Sequence, residues 1–429
     1  MIYRLISFVG IFVILGIAWL MSNNKKKVNF RTVFWGILLQ LIFAVIILKT
    51  GPGKAVFFYA KAFIERLLSF TDAGASFLFG NLYRGNPDVI QELGGPGPMQ
   101  LFDAGTKSFV NIGMIFAFHV LPTIIFFASL MSVLYHLGIM QRIVEAMAWI
   151  MEKFMKTSGA ESLSAASNIF VGQTEAPLVV KPYVEKMTMS ELMAVMTGGF
   201  ATIAGGVMAA YVRFGINAGH LMAASVMSAP AALVIAKIIY PETGKPLTAE
   251  GAKVEVEKHT ANIVDAAASG AADGLRLALN VGAMLMAFIA LIAMINYGLH
   301  LAGLIFGYPQ LSLKVIFGYI FYPLSFFMGV PTKDLLEFGN LLGTKISINE
   351  MVAYVELAQV KSMISPRTYV IATYALCGFA NFSSIAIQIG GISGIAPTRR
   401  QDLAKLGIRA MFGGALASWL TATIAGMLL

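Results

Sequence analysis

Residues 162–177 read Ser-Leu-Ser-Ala-Ala-Ser-Asn-Ile-Phe-Val-Gly-Gln-Thr-Glu-Ala-Pro. The first 13 of these, through Thr174, carry no formal charge; Glu175 and Pro177 then interrupt the run. A helix needs about 20 apolar residues to cross the hydrocarbon core, whereas about 10–14 suit a re-entrant segment. Gly172 and Pro177 bracket three polar side chains inside an apolar region. A charge near the bilayer centre costs at least ~2.5–3.5 kcal/mol. Glu175 therefore sits either solvated at the membrane surface or in a site, where Gln173 and Thr174 offer donors and acceptors to a polar ligand.

The composition around this stretch is that of a membrane protein. Of 429 residues, 58% are hydrophobic and 12% charged, against about 25% charged in a soluble domain; mean hydropathy is +0.76. A water-soluble protein is excluded. The single cysteine, Cys377, excludes disulfide scaffolds and Cys-based zinc sites, and the scattered histidines argue against a His-built metal site. The net charge of +9 reads as Lys and Arg in cytoplasmic loops, not a nucleic-acid surface. Gly51-Pro52-Gly53-Lys54 lacks the phosphate-loop pattern, the 24 methionines read as packing, and no nucleophile triad stands out.

Uncharged runs at 5–21, 32–48, 108–141 (His119 and His136 aside), 192–212, 214–236, 277–313, 368–398 and 410–429 predict eight spans. Asn23, Asn24 and Lys25 to Lys27, with no cleavage site, follow the first, so it reads as a retained helix. Lys25, Lys26, Lys27 and Arg31 after the first span, and Arg399, Arg400, Lys405 and Arg409 before the last, mark the cytoplasmic side, leaving the N- and C-termini outside. Residues 57–82, amphipathic around Lys61, Glu65 and Arg66, predict an interfacial helix. Residues 84–107 predict an outer loop and 240–262 a hydrophilic one. Residues 312–361 join an apolar half, 315–332, to a half bearing Glu337, Lys345, Glu350 and Glu356, and predict two half-depth helices meeting at a tip.

The order span, polar hairpin, span, span runs from about 108 to 240 and again from about 275 to 429. Phe200-Ala201-Thr202-Ile203 follows the first hairpin and Phe379-Ala380-Asn381-Phe382 the second. An odd number of spans per copy gives the copies opposite orientations. Inverted repeats with interrupted segments at matching positions point to a secondary transporter. The predicted fold is all-α and integral to the membrane: eight transmembrane helices plus two re-entrant hairpins in inverted repeats, with interfacial helices.

Glu350, if ionised, only accepts hydrogen bonds and suits a hydroxyl-rich ligand such as a sugar; the plain reading is a surface carboxylate paired with Lys345. Asn381, Ser383 and Ser384, with Gly378, either break their helix or hydrogen-bond between helices. Asn168 and Thr202 offer oxygen ligands to a small hard cation, which their spacing does not prove.

At residues 172–177, 349–354 and 378–384 the sequence resembles the concentrative nucleoside transporter family, and the similarity runs from the first span to the C-terminus. The resemblance implies that Gln173, Thr174 and Glu175 face the nucleobase, that Val207 and Phe379 pack on it, and that Glu350, Asn381 and Ser384 hold the ribose hydroxyls. Sodium-coupled members are similar in having an Asn before the first hairpin tip. Asn168 and the Val171 carbonyl, with Thr202 and the Ile203 carbonyl, would then be the Na⁺ site; Thr202 stands where some members have Ser. The family further implies a homotrimer in the lipid bilayer of a bacterial inner membrane, with no cofactor besides the coupling ion and no enzymatic activity. Residues 1–145 and 261–310 would be scaffold; 146–260 and 311–429, each with one hairpin and two spans, the moving transport part. The expected function is nucleoside import by symport with Na⁺ through alternating access. Proton coupling is the alternative. More distant rivals are a channel, for which no charged or carbonyl ring is found, and an intramembrane enzyme using Glu175 and Glu350 as an acid–base pair. Purine or pyrimidine preference stays open.

Overall fold

The computed structural model describes residues 2–84, 100–103, 105, 107–111, 115–249 and 260–429. Most of the expected outer loop and the centre of the 240–262 loop lie outside the described residues, as do the side chains of Lys61 and Glu65. The chain is a multi-pass membrane protein. Among the described residues, seven helices are long and apolar enough to cross a bilayer. They comprise α1 (Ile2–Leu20), α2 (Phe30–Lys49), the segment Phe116–His136 that contains α4 (Leu121–His136), Met189–Arg213, α9 (Ala218–Ile239), α10 (Ile263–Ile305) and Pro397–Leu428, which contains α17 (Arg400–Leu428). Between α2 and α4 lies α3 (Gly51–Phe79), whose N-terminus Thr50 caps through its hydroxyl. The remaining expected span, 368–398, is two helices, α15 (Pro366–Leu376) and α16 (Phe382–Ile395), each too short to cross alone. Gly378, at φ +138, and Asn381, the N-cap of α16, account for the interruption.

The fold departs from the sequence expectation in three places. Residues 108–111 do not begin a span. They form β2 (Ser108–Asn111), antiparallel to β1 (Gln100–Asp103) with Gln100 opposite Asn111, so among the described residues the fold is all-α apart from this ribbon. Helix α10 starts well before residue 277 and ends at Ile305; Gly307, at φ +72, turns the chain back. At about 65 Å it outspans a hydrocarbon core of about 30 Å. Third, the tip of the second hairpin falls at Ile348 and Asn349, between α13 (Leu335–Ser347) and α14 (Glu350–Val360). The apolar half forms two separate helices, α11 (Leu313–Ile320) and α12 (Tyr322–Phe327).

The first hairpin follows α5 (Ile139–Met155). It descends as α6 (Gly159–Ser167), turns through residues 168–175, and returns in two short turns, Ala176–Val179 and Lys181–Val184. A capping box starts α6: Ser158 Oγ accepts from the Glu161 N–H, and the Ser158 N–H donates to Glu161 Oε1 at 2.7 Å. Lys237 of α9 lies 2.6 Å from Glu161 Oε2 and donates to Ser190 Oγ at 2.9 Å, so buried charge ties the hairpin base to its neighbours. The next crossing is itself broken, into α7 (Met189–Ala201) and α8 (Gly205–Arg213), with Thr202 extended between them. The breaks of the two repeats meet. The Phe379 N–H donates to Thr202 O at 3.3 Å, and a Cβ on Gly378 would lie 2.6 Å from Phe200 O. Only a glycine permits that approach.

The two basic loops share a face. Asn23 N–H donates to Ile239 O, Ser190 Oγ to Tyr240 O, and Arg399 Nη1 to Met187 O, at 2.7–3.0 Å. Those links run unbroken from the Lys25–Lys27 turn to the start of α17.

Candidate functional site

An open-sided cavity of about 150 Å³ lies where the hairpin tips, the helix breaks and α10 converge. Gln173, Thr174, Glu175, Val207, Glu350, Phe379, Asn381 and Ser384 all line it. Long-range folding thus gathers eight residues drawn from both repeats around one space.

Glu350 is the most constrained of them. It is the first residue of α14, after Asn349, whose side chain accepts from the Val352 N–H at 2.9 Å. A carboxylate is favoured at a helix N-terminus. Glu350 is 4% exposed; Oε1 accepts from the Tyr211 hydroxyl at 2.9 Å and Oε2 from Asn381 Nδ2 at 3.1 Å. A carboxylate has about four lone-pair sites, so acceptor capacity is left for a ligand. The surface pairing with Lys345 does not occur: Lys345 is fully buried and donates to Ala375 O at 2.8 Å. Asn381 both caps α16, accepting from the Ser384 N–H at 2.9 Å, and donates to Glu350. Its cluster breaks the helix rather than bonding between continuous ones.

On the first tip, Gln173 is buried and Glu175 exposed at the cavity edge, where Thr174 Oγ1 donates to Glu175 Oε1 at 2.9 Å. The Glu175 carboxylate folds back over the tip: a Cβ on Gly172 would come within 2.3 Å of Glu175 Oε2. Gln173 Nε2 donates to Ser384 Oγ at 3.2 Å, joining the first hairpin to α16. Val207 and the half-buried Phe379 supply apolar walls.

Sequence reasoning left out several residues of this site. Tyr211 looks like any aromatic of a span, and only its contact with Glu350 marks it. Leu277, Val281 and Leu285 of α10 complete the wall without any pattern that separates them from lipid-facing neighbours. Gln388 had a signal: it is an amide inside an apolar run, where polar groups are costly.

Beside the cavity, Asn168 ends α6. Its Nδ2 donates to Ser164 O at 3.0 Å, while Oδ1 is buried and accepts no hydrogen bond among the described residues. The Thr202 hydroxyl donates to Gly198 O at 3.0 Å and keeps lone pairs free. The Gly205 N–H donates to Phe170 O at 3.0 Å, drawing the first tip, with Val171, against the break that contains Ile203. An unsatisfied buried amide oxygen, a hydroxyl and carbonyls at a helix break are donors that fit a small hard cation.

Three family descriptions match the chain: Na⁺ dependent nucleoside transporter N-terminus at residues 9–82, nucleoside recognition (Gate) at 117–218, and Na⁺ dependent nucleoside transporter C-terminus at 220–426. An uncharacterized transporter of Haemophilus influenzae is 45% identical, over 98% of this chain and 97% of its own length. Solute carrier family 28 member 3 of Rattus norvegicus is 43% identical over 99% of this chain, which spans 59% of that longer protein. CNTnw in an inward-facing substrate-bound state superposes with a TM-score of 0.88 at 41% identity, covering 99% of this chain and 97% of that one. A substituted CNTnw in an outward-facing state gives 0.90, over 99% and 98%. The chain belongs to the concentrative, Na⁺-dependent nucleoside transporter family.

Proposed function

We propose that the protein imports nucleosides across a bacterial inner membrane by symport with Na⁺, as a homotrimer working by alternating access. One observation carries the reading: Glu350, buried yet with acceptor capacity to spare, faces the same cavity as the amide and hydroxyl groups of Gln173 and Thr174. A carboxylate with Asn381 and Ser384 suits ribose hydroxyls; an amide and a hydroxyl suit a base edge, with Val207 and Phe379 packing on its faces. The unsatisfied Asn168 Oδ1 beside Thr202 favours Na⁺ over H⁺ as the coupling ion. Na⁺ held there, with the Val171 and Ile203 carbonyls, orders the first hairpin, and the ordered tip receives the nucleoside. Residues 146–260 and 311–429 then move against a scaffold of 1–145 and 261–310. The hydrogen bond from Arg4 Nη2 to Leu429 O, at 2.6 Å, supports N- and C-termini on the same side, and the basic loops opposite make that side the outer one.

A 100 mV potential contributes ~2.3 kcal/mol per charge and a tenfold Na⁺ gradient ~1.4 kcal/mol, enough for roughly 500-fold accumulation with one Na⁺ per nucleoside. Uptake of labelled uridine into proteoliposomes tests this, with adenosine as competitor and an inward Na⁺ gradient against an inward H⁺ gradient. Uptake under Na⁺ alone is expected. Uptake driven only by H⁺ sinks the ion assignment; none under either sinks the substrate class.

A further inference from the structure

We propose that Gln388 is a positioning residue: it fixes which end of the Gln173 amide meets the nucleobase, and so sets which base edges are accepted. The proposal rests on the reading of Gln173 as base-facing.

Gln388 lies one helical turn beyond Ser384 on α16 and is fully buried. It does not line the cavity. Its Nε2 donates to Met196 O at 3.1 Å and to Gln173 Oε1 at 3.2 Å. A backbone carbonyl only accepts, so the NH₂ end of Gln388 must be the one turned to Met196. That same NH₂ meets Gln173, which is thereby compelled to present its oxygen. The NH₂ of Gln173 then points the other way, to Ser384 Oγ at 3.2 Å. One of its two N–H groups is used there, and the second is available to a ligand. The orientation of Gln173 thus follows from a main-chain carbonyl two residues removed along a hydrogen-bond chain.

Without Gln388 nothing fixes that choice. The Ser384 hydroxyl both donates and accepts, so it tolerates either end of the Gln173 amide. Gly199 of α7 lets the two amides come together: a Cβ there would lie 2.7 Å from Gln388 Nε2 and 2.9 Å from Gln173 Cβ. The cavity therefore offers an N–H donor at this edge, complementary to a base carbonyl or unprotonated ring nitrogen. A site built around one hydrogen-bond polarity rejects ligands that lack the matching group. The specificity is set by a side chain that never touches the base.

The test compares KM values in proteoliposomes for uridine and for analogues each lacking one base acceptor or donor. In the wild type, deleting the acceptor that meets Gln173 is expected to raise KM about fivefold, the worth of one neutral hydrogen bond. In Gln388→Met, which keeps the volume and removes the donor, that penalty falls below about twofold, with half-saturation by Na⁺ unchanged. In a Gln173→Ala background, Gln388→Met has no further effect on the ratios, as expected if it acts through Gln173. Identical penalties in wild type and Gln388→Met overturn the proposal, as does a wild type with no penalty for any analogue, or a shift that persists without Gln173. If Gln388→Met does not fold, a structure of the wild type with uridine bound decides. Gln388 on Gln173 Oε1, with Gln173 Nε2 on a base acceptor, is the expected result; Gln388 detached from Gln173 overturns it. A wild type that takes up no nucleoside fails at the earlier step, the proposed function, and is read separately.

Discussion

Glu350 and Asn168 show how the chemistry of single side chains limits what the site can do. Tyr211 and Asn381 each give Glu350 one hydrogen bond. Gln at this position keeps the shape but replaces one acceptor oxygen by a donor, opposing either a protein donor or a ribose hydroxyl. Glu350→Gln is expected to raise the nucleoside KM by about 10- to 100-fold, the cost of one or two charge-assisted bonds, with Na⁺ half-saturation little changed. Initial-rate uptake against uridine concentration checks it. Asn168→Leu removes the unpartnered Oδ1 and should do the converse. Na⁺ half-saturation rises at least about tenfold, the effect of losing one strong ligand bond, and Na⁺ titration of uptake reads it directly.

Secondary-structure elements fail or hold at their ends, and here the ends carry function. The α15–α16 interruption rests on Gly378, whose positive φ and close approach to Phe200 O leave no room for a Cβ. Gly378→Ala should separate the two breaks and lower both Na⁺ and nucleoside affinity, or prevent folding; size-exclusion profiles and binding together distinguish these. Just past the C-terminal end of α9, outside the span, Glu242 follows a different rule. Burial acts to raise its carboxyl pKa, but Lys237, the Thr188 hydroxyl and the Gly244 N–H outweigh it and hold the value below the ordinary range. A depressed folded-state pKa means stability that is present above the ordinary carboxylate range and is lost as pH falls through the folded value. The melting temperature in detergent should drop as pH falls below that range, and Glu242→Gln should flatten the drop. An unchanged profile in the variant would exclude Glu242 as a source.

Across the whole molecule, the charge distribution makes a topological prediction. The turn at Lys25 to Lys27 and the start of α17 share one face through the links at Ile239, Tyr240 and Met187, and both are basic. By the positive-inside rule that face is expected to be cytoplasmic. Lys26 is exposed and the sole native cysteine, Cys377, is buried, so labelling has a clean background. Lys26→Cys should react with an impermeant maleimide only from the cytoplasmic side; reaction from outside intact cells would invert the orientation.

How much of this was legible along the chain depended on the range of the interactions. The membrane class, most of the spans, the break at the first hairpin and the polar residues Gln173, Thr174 and Glu350 could be read because each follows from a local cost: a charge, an amide or a glycine inside an apolar run has few tolerable explanations. The family resemblance rested on those same residues. The ribbon at 100–111 and the true tip at residues 348–349 were missed, since apolar runs of similar length suit a span, a strand or a half-helix equally well. Tyr211 lies 139 residues from Glu350, and Gln388 lies 215 from Gln173. No local pattern encodes such pairings. Backbone crossing of the two repeats creates them, and with them the orientation of each polar group that faces the cavity.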